Sequence, residues 1–339
     1  MLSRVADAIY WMNRYIERME NVARFVDVNL HLALDFSDED AQWEPLVRTT
    51  GDTELFNKRY GEPSRDNVLR FLTFDRDNPN SILACLSKAR ENARSVREII
   101  SSEMWEQVNR AYLMVLDAGR GDAAMEAPYE FFAAVKQAAH LFVGITYLTM
   151  SHNEGWHFGR LGRLLERADK TSRILDVKYF ILLPSPVDVG TAVDELQWVA
   201  LLRSASAFEM YRKKHGGISP SKVVDFLMLN PKFPRSVRYC LNKAERSLHA
   251  ITGAPLGTWT NAAERELGRL TAELAYAETK EILGRGLHEY VDDLQQHLNH
   301  VSDAVYLTFF TMKPLAEEEE MLRSIPLPPL SMARLPDPE

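Results

Sequence analysis

Residues 14–28 read RYIERMENVARFVDV, and residues 163–177 read RLLERADKTSRILDV. At an offset of 149 they share Arg14/Arg163, Glu17/Glu166, Arg18/Arg167, Arg24/Arg173, Asp27/Asp176 and Val28/Val177, while Glu20/Asp169 keeps the acid. The match resumes at an offset of 155. From 43–89 against 198–244, 16 of 47 positions are identical without a gap, among them Trp43/Trp198, Gly61/Gly216, Pro79/Pro234, Ser81/Ser236 and Cys85/Cys240. TYLT (146–149) and VYLT (305–308) extend the correspondence. So many identities in register read as a tandem duplication. The change of offset places one insertion in the linker LLPSPVDVGTAVDE (182–195). The halves run over 1–155 and 156–314, and an acidic, Pro-rich tail, 315–339, follows them.

Both halves carry helical spacing. Apolar residues recur at i, i+3, i+4 and i+7 through 5–28, 82–115, 131–150, 161–182, 196–211, 236–251, 262–282 and 287–310. Strand-like alternation between turn pairs is nearly absent. Short connections favour neighbouring helices that pack together. The expected fold is all-α: a helical bundle of two tandem, pseudo-twofold-related halves that fold together as one domain.

With Arg14 at zero and about 100° per residue, Tyr15, Ile16, Met19, Val22, Ala23 and Val26 gather on one arc. Glu17, Glu20, Arg24 and Asp27 gather on another, as do Glu166, Asp169, Arg173 and Asp176 in the second copy. Glu20/Arg24 and Asp169/Arg173 stand four apart and are placed to bridge within their own helices. Exposed ion pairs contribute only about 0–1 kcal/mol each, so a solvated face does not require both copies to keep the stripe. Two readings do. In one, the helices meet about a pseudo-twofold axis, with Arg14 and Arg18 pairing with Glu166 and Asp169, and reciprocally. In the other, Arg14, Glu17, Arg18, Glu20, Arg24, Arg163, Glu166, Arg167, Asp169 and Arg173 line a groove for a ligand or partner.

Composition narrows the field. The 339 residues carry a net charge of −8, which argues against a phosphate-tracking surface for nucleic acid. Two cysteines, Cys85 and Cys240, suit a reducing cytoplasm and read as buried structural thiols. The N-terminus lacks the unbroken apolar core of a secretory signal. No run of 18 apolar residues occurs, the longest candidate being His140 to Met150, so no membrane span is expected. Walker A, G-x-G-x-x-G and G-x-S-x-G patterns are missing, and no cofactor is implied. Glu154-x-x-His157 and His297-x-x-His300 have metal-ligand spacing, but the nine His residues converge on no single pattern, and no metal is expected.

LSRVADAIYWMNRYIERMENVARFVDV (2–28), ENARSVREIISSEMWEQVN (91–109), FGRLGRLLERADKTSRILDVKY (158–179) and NPKFPRSVRYCL (230–241) together resemble the bacterial alpha-E domain family. The resemblance covers nearly the whole chain. It implies an all-helical domain named for a glutamate, a role that Glu17, Glu20 and Glu166 would match, with Asp169 as the equivalent acid. Asn13 stands where the family more usually has glycine, as Gly162 does in the second half. The resemblance also implies two partners: a circularly permuted ATP-grasp protein akin to carboxylate–amine ligases, and a transglutaminase-like protein. Three functions are therefore weighed. The first is a non-catalytic accessory or substrate-binding partner of an amide- or peptide-forming ligase system. The second is an enzyme using the clustered Glu, Asp and Arg in amide or amine chemistry, with or without a metal. The third is a structural homo-oligomer.

Overall fold

The apolar stripe of residues 5–28 becomes a single long helix, α1 (Ser3–Ala33). The computed structural model describes residues 1–33, 43–121, 123–181 and 191–311, and those residues form helices and connections with no strand. After α1 come α2 (Glu44–Thr50), α3 (Thr53–Arg59), α4 (Arg65–Thr73), α5 (Ile82–Ser95), α6 (Ser102–Ala118), the single turn α7 (Ala123–Glu126) and α8 (Pro128–Thr149). Then follow α9 (Glu154–Ile181), α10 (Ala192–Ser204), α11 (Phe208–His215) and α12 (Pro220–Val224), which runs on as a π-turn over Asp225–Leu229. The described chain closes with α13 (Val237–Thr252), α14 (Ala262–Tyr276), α15 (Thr279–Arg285) and α16 (Leu287–Phe309).

Helices α1 and α9 lie against each other at the centre. Around α1 pack α5 and α8, with α6 bridging those two; around α9 pack α13 and α16, with α14 bridging those two. Helix α2 crosses to touch α9, and α10 crosses to touch α1. Ile9, Met12, Ile16, Met19 and Val26 of α1, and Leu161, Leu165, Ala168 and Leu175 of α9, are buried in one continuous core. Each of the Ile, Met, Val and Leu side chains contributes on the order of 1.5–3 kcal/mol.

Start signals recur. Ser81 caps α5 by accepting from the Ala84 backbone N–H at 3.1 Å, and Ser236 caps α13 by accepting from Tyr239 at 3.2 Å. One turn inside each helix, Cys85 and Cys240 are buried and free, their thiols directed at the Pro79 and Pro234 carbonyls. Burial pushes the two thiols up to about 11 and about 12, so neither is a thiolate nucleophile at neutral pH.

Three of the periodic segments are broken where no Gly or Pro announces it. Residues 82–115 divide at 96–101 into α5 and α6, residues 196–211 divide at 205–207 into α10 and α11, and residues 262–282 divide at 277–278 into α14 and α15. At the first break, Ser101 restarts the helix by accepting from the Met104 N–H at 3.2 Å. The apolar run around His140 belongs to α8, a helix of 22 residues whose most apolar 18-residue stretch has mean hydropathy 1.3, long and apolar enough to span a membrane by length and composition. Here one side of it packs on α1 and α6. The Pro184-Ser185-Pro186 linker and the 315–339 tail lie outside the described residues.

Gly162 sets how closely the central helices approach. A Cβ there would stand 2.6 Å from the Tyr10 carbonyl oxygen and 2.9 Å from its ring. At the matched position of α1, Asn13 turns its side-chain amide back to the Ile9 carbonyl at 3.0 Å and lies against Gly159. Because the Gly162 obstacle is backbone, it cannot swing aside. Gly162→Ala should therefore destabilise the protein by about 1–3 kcal/mol in urea unfolding; unchanged stability would show that the two helices do not pack this tightly.

Candidate functional site

The charged arcs of α1 and α9 face each other and are buried. Glu17 is 4% exposed and Glu166 0%. Arg18 grips Glu166 in a fork, Nε to Oε1 at 2.7 Å and Nη2 to Oε2 at 3.0 Å, while Arg14 adds its Nε to Oε2 at 2.9 Å. The reverse fork runs from Arg167 to Glu17, Nε to Oε1 and Nη2 to Oε2, both at 2.7 Å. The two Glu-Arg dipeptides of the matched stripes are thus cross-linked, each glutamate held by the arginine that follows the other. Such bidentate charge-assisted contacts are the strong class of ion pair.

Around the crossed forks the two sides differ. Glu166 also has Lys170 at 3.7 Å, and Arg18 extends to Asn80 Oδ1 at 2.9 Å. Glu17 instead takes a second guanidinium from Arg235, Nη1 to Oε1 at 3.2 Å, and the same arginine reaches Glu20 Oε1 at 2.9 Å. Glu20 also meets Arg24 within its helix, and His140 Nε2 at 3.2 Å.

The expected pairing of Arg14 and Arg18 with Glu166 and Asp169, and the reciprocal pairing with Glu17 and Glu20, is corrected in more than one respect, Glu20 being met by Arg24 and Arg235 instead. Both arginines converge on Glu166, whereas Asp169 stays on its own helix, accepting from Arg173 Nε at 3.0 Å with Lys170 Nζ at 3.1 Å. Arg163 is a further departure. Arg14, its counterpart, holds a glutamate, but among the described residues no N–H of Arg163 donates to a protein group, and its Nε is buried. The matched pattern did not reveal Arg235, Lys170, Asn80 or His140. Arg235 was within reach of the alignment, since it aligns with Asn80, one residue before the matched Ser81/Ser236.

The environment fixes the charge states. Burial alone would raise the Glu17 carboxyl, but Arg167, Arg235 and Arg163 hold it far below the ordinary carboxylate range. Burial is likewise outweighed at Glu166 by Arg18, Arg14 and Lys170, and at Asp169, lowered to about 2, by Lys170 and Arg173. Cations outnumber acids in this layer, and three of them feel it. Burial, with neighbouring arginines, lowers Arg24 well below its ordinary value and lowers Arg163 and Arg235 to about 10.

The metal-spaced pairs do not assemble a site. Glu154 accepts from the Met1 ammonium at 2.9 Å, and the His297 and His300 rings stand 6.3 Å apart. Among the described residues, no group of three or more His, Cys, Asp or Glu is placed to hold a metal ion.

An all-helical domain knit by crossed Glu-Arg pairs is the class that fold and site define. The chain belongs to the Alpha-E family, described as a predicted alpha-helical domain with a conserved ER motif, which matches residues 1–310. An uncharacterised Mycobacterium bovis protein is 24% identical over 331 residues, covering 90% of this chain and 36% of its own. Two uncharacterised Mycobacterium tuberculosis proteins, from strains CDC 1551 and H37Rv, are 24% and 23% identical over the same length. The chain therefore spans 36% of the length of these relatives. No solved structure matches it.

Removing one partner of a buried pair leaves the other charge stranded, at a loss of about 3–5 kcal/mol, and Glu166→Gln should lose stability on that scale at pH 7. The pH dependence has a definite sign. Glu166, Glu17 and Asp169 titrate lower in the folded chain than the ~4 of free carboxyls, so between those values the unfolded chain binds more protons. Their stabilisation is complete above about pH 5 and fades as the pH falls toward 2. Thermal unfolding across this range should show a steep acid slope in the wild type and a shallower one in Glu166→Gln; equal slopes would contradict the assignment.

Proposed function

We propose that the chain is a non-catalytic binding module made of two homologous halves, 1–155 and 156–314, related by a pseudo-twofold axis through the α1–α9 crossing. It serves as an accessory or substrate-holding partner of an ATP-grasp ligase system that forms amide or peptide bonds. The observation that carries this reading is the saturation of both central glutamates. Each is held as an anion by two guanidinium groups out of reach of solvent, so neither is poised to exchange a proton near pH 7. The buried network then fixes how the two helices meet, a registry role rather than a chemical one.

The duplication is supported by the matched surroundings of α1 and α9, and by the equivalent work of Ser81 and Ser236, and of Cys85 and Cys240. A partner is supported by the relatives, in which the matched region is 36% of a longer chain and further polypeptide is joined to it. Here that partner is a circularly permuted ATP-grasp protein, with a transglutaminase-like protein acting in the same system. A cytoplasmic setting is supported by the two free, buried thiols.

An enzymatic reading keeps one specific foothold: Glu20 Oε2 is buried without a partner, while His140 reaches Oε1 of the same carboxyl. On that reading Glu20→Gln abolishes product formation; on ours it leaves product formation intact. Co-expressed with a circularly permuted ATP-grasp protein from the same organism, the full chain should elute from size exclusion as a stoichiometric complex. Separate elution, together with no binding of the ligase's product, would overturn the accessory role.

A further inference from the structure

Arg163 and Arg160 stand one turn apart on α9 and open into the same cavity, of about 380 Å³, between α8 and α9. Neither is paired with a carboxylate among the described residues. Arg163 would be expected to hold Glu17, as Arg14 holds Glu166, but Arg167 and Arg235 already occupy that carboxylate. Arg160 makes one long contact, Nη1 to Ser247 Oγ at 3.4 Å, and lies over the Trp156 ring with 5.2 Å to its centroid. Burial is the largest influence on both guanidinium groups, and it lowers both. A buried guanidinium without an anion is among the costliest groups a protein can hold, and a bound carboxylate relieves that cost through a planar fork.

The rest of the cavity defines the ligand further. No Asp or Glu lines it. Of its other polar walls, Asn13 donates to the Ile9 carbonyl and Thr146 to the Phe142 carbonyl, which leaves the exposed Tyr147 hydroxyl as a further donor. Val143, Leu148 and Trp156 supply apolar surface. A second cavity, of about 530 Å³ between α1, α8 and α10, offers a contrast. Two of its cations are already answered, Lys136 by Asp27 at 2.6 Å and Arg24 by Glu20.

We propose that the α8–α9 cavity is a binding site for a carboxylate carried on an apolar body, with Arg163 and Arg160 holding the carboxylate and Trp156 and Val143 packing the body. The size suits a single N-blocked apolar amino acid or the C-terminal residue of a peptide, small ligand cavities starting at about 300 Å³. This site is separate from the crossed Glu-Arg forks, and its occupation is read without the ligase, so it can fail while the ligase association holds, and the reverse.

The test is calorimetric titration of the full chain with N-acetylphenylalanine, with N-acetylphenylalaninamide as the uncharged isostere and inorganic phosphate as the bare anion. The acid should bind, and the amide and phosphate should each bind about tenfold more weakly or not at all. Arg163→Gln and Arg160→Gln should each weaken the acid by about tenfold or more. Arg163→Gln should also lower the unfolding temperature less than Arg14→Gln does, because Arg163 acts on Glu17 through space without a hydrogen bond, whereas Arg14 donates directly to Glu166. No binding of the acid would overturn the site. Equal binding of the amide would overturn the role of the arginines, and equal binding of phosphate would overturn that of the apolar wall. If Arg163→Gln destabilised the fold as Arg14→Gln does and left binding unchanged, Arg163 would be structural.

Discussion

Two buried glutamates, each forked by an arginine from the facing helix, hold the centre of this molecule. Taking four charges out of water is expensive, and only near-ideal geometry with further donors offsets the penalty. Both conditions are met: the forks span 2.7–3.0 Å, and Arg14 and Arg235 supply the additional N–H groups. Everything around α1 and α9 inherits their placement. The absence of a side chain at Gly162 lets the helices approach, and the forks fix where along their length they cross. A one-residue slip would separate both forks at once, whereas an apolar seam of Leu, Ile and Met tolerates more sliding.

The cations do not balance. Arg235 aligns with Asn80, and it takes the place beside Glu17 that the matched stretches would give to Arg163. This single difference turns a reciprocal network into a lopsided one. Among the described residues it leaves Arg163 without a protein acceptor at the wall of a cavity, next to Arg160, which pairs with no carboxylate there. The crossed forks therefore read as architecture, and the proposed carboxylate site lies where the matched stretches differ in their pairing.

Much of this was legible in the sequence. Glu17, Arg18, Glu166 and Arg167 stood out because the two matched stretches keep them at equivalent positions, and the pairing of Arg14 and Arg18 with Glu166 followed from bringing those stretches together. Ser81/Ser236 and Cys85/Cys240 were visible as matched positions whose local roles proved alike. Other features were hidden for physical reasons. Asp169 had two cations within its own turn, so i,i+4 geometry competed with the pairing across helices and prevailed. Arg235 lies in a connection, where periodicity carries no information about direction. The breaks at 96–101, 205–207 and 277–278 fall inside unbroken apolar spacing, because each helix on either side buries a face of its own.

The central claim is that Arg18 and Glu166 stabilise the fold through each other. A double-mutant cycle with Arg18→Met, Glu166→Leu and the pair, read by urea unfolding at pH 7, measures that directly. The account predicts a coupling energy of about 2–3 kcal/mol, the range of buried contacting groups, with the double variant more stable than either single one. A coupling below about 0.5 kcal/mol, as exposed pairs give, would contradict it.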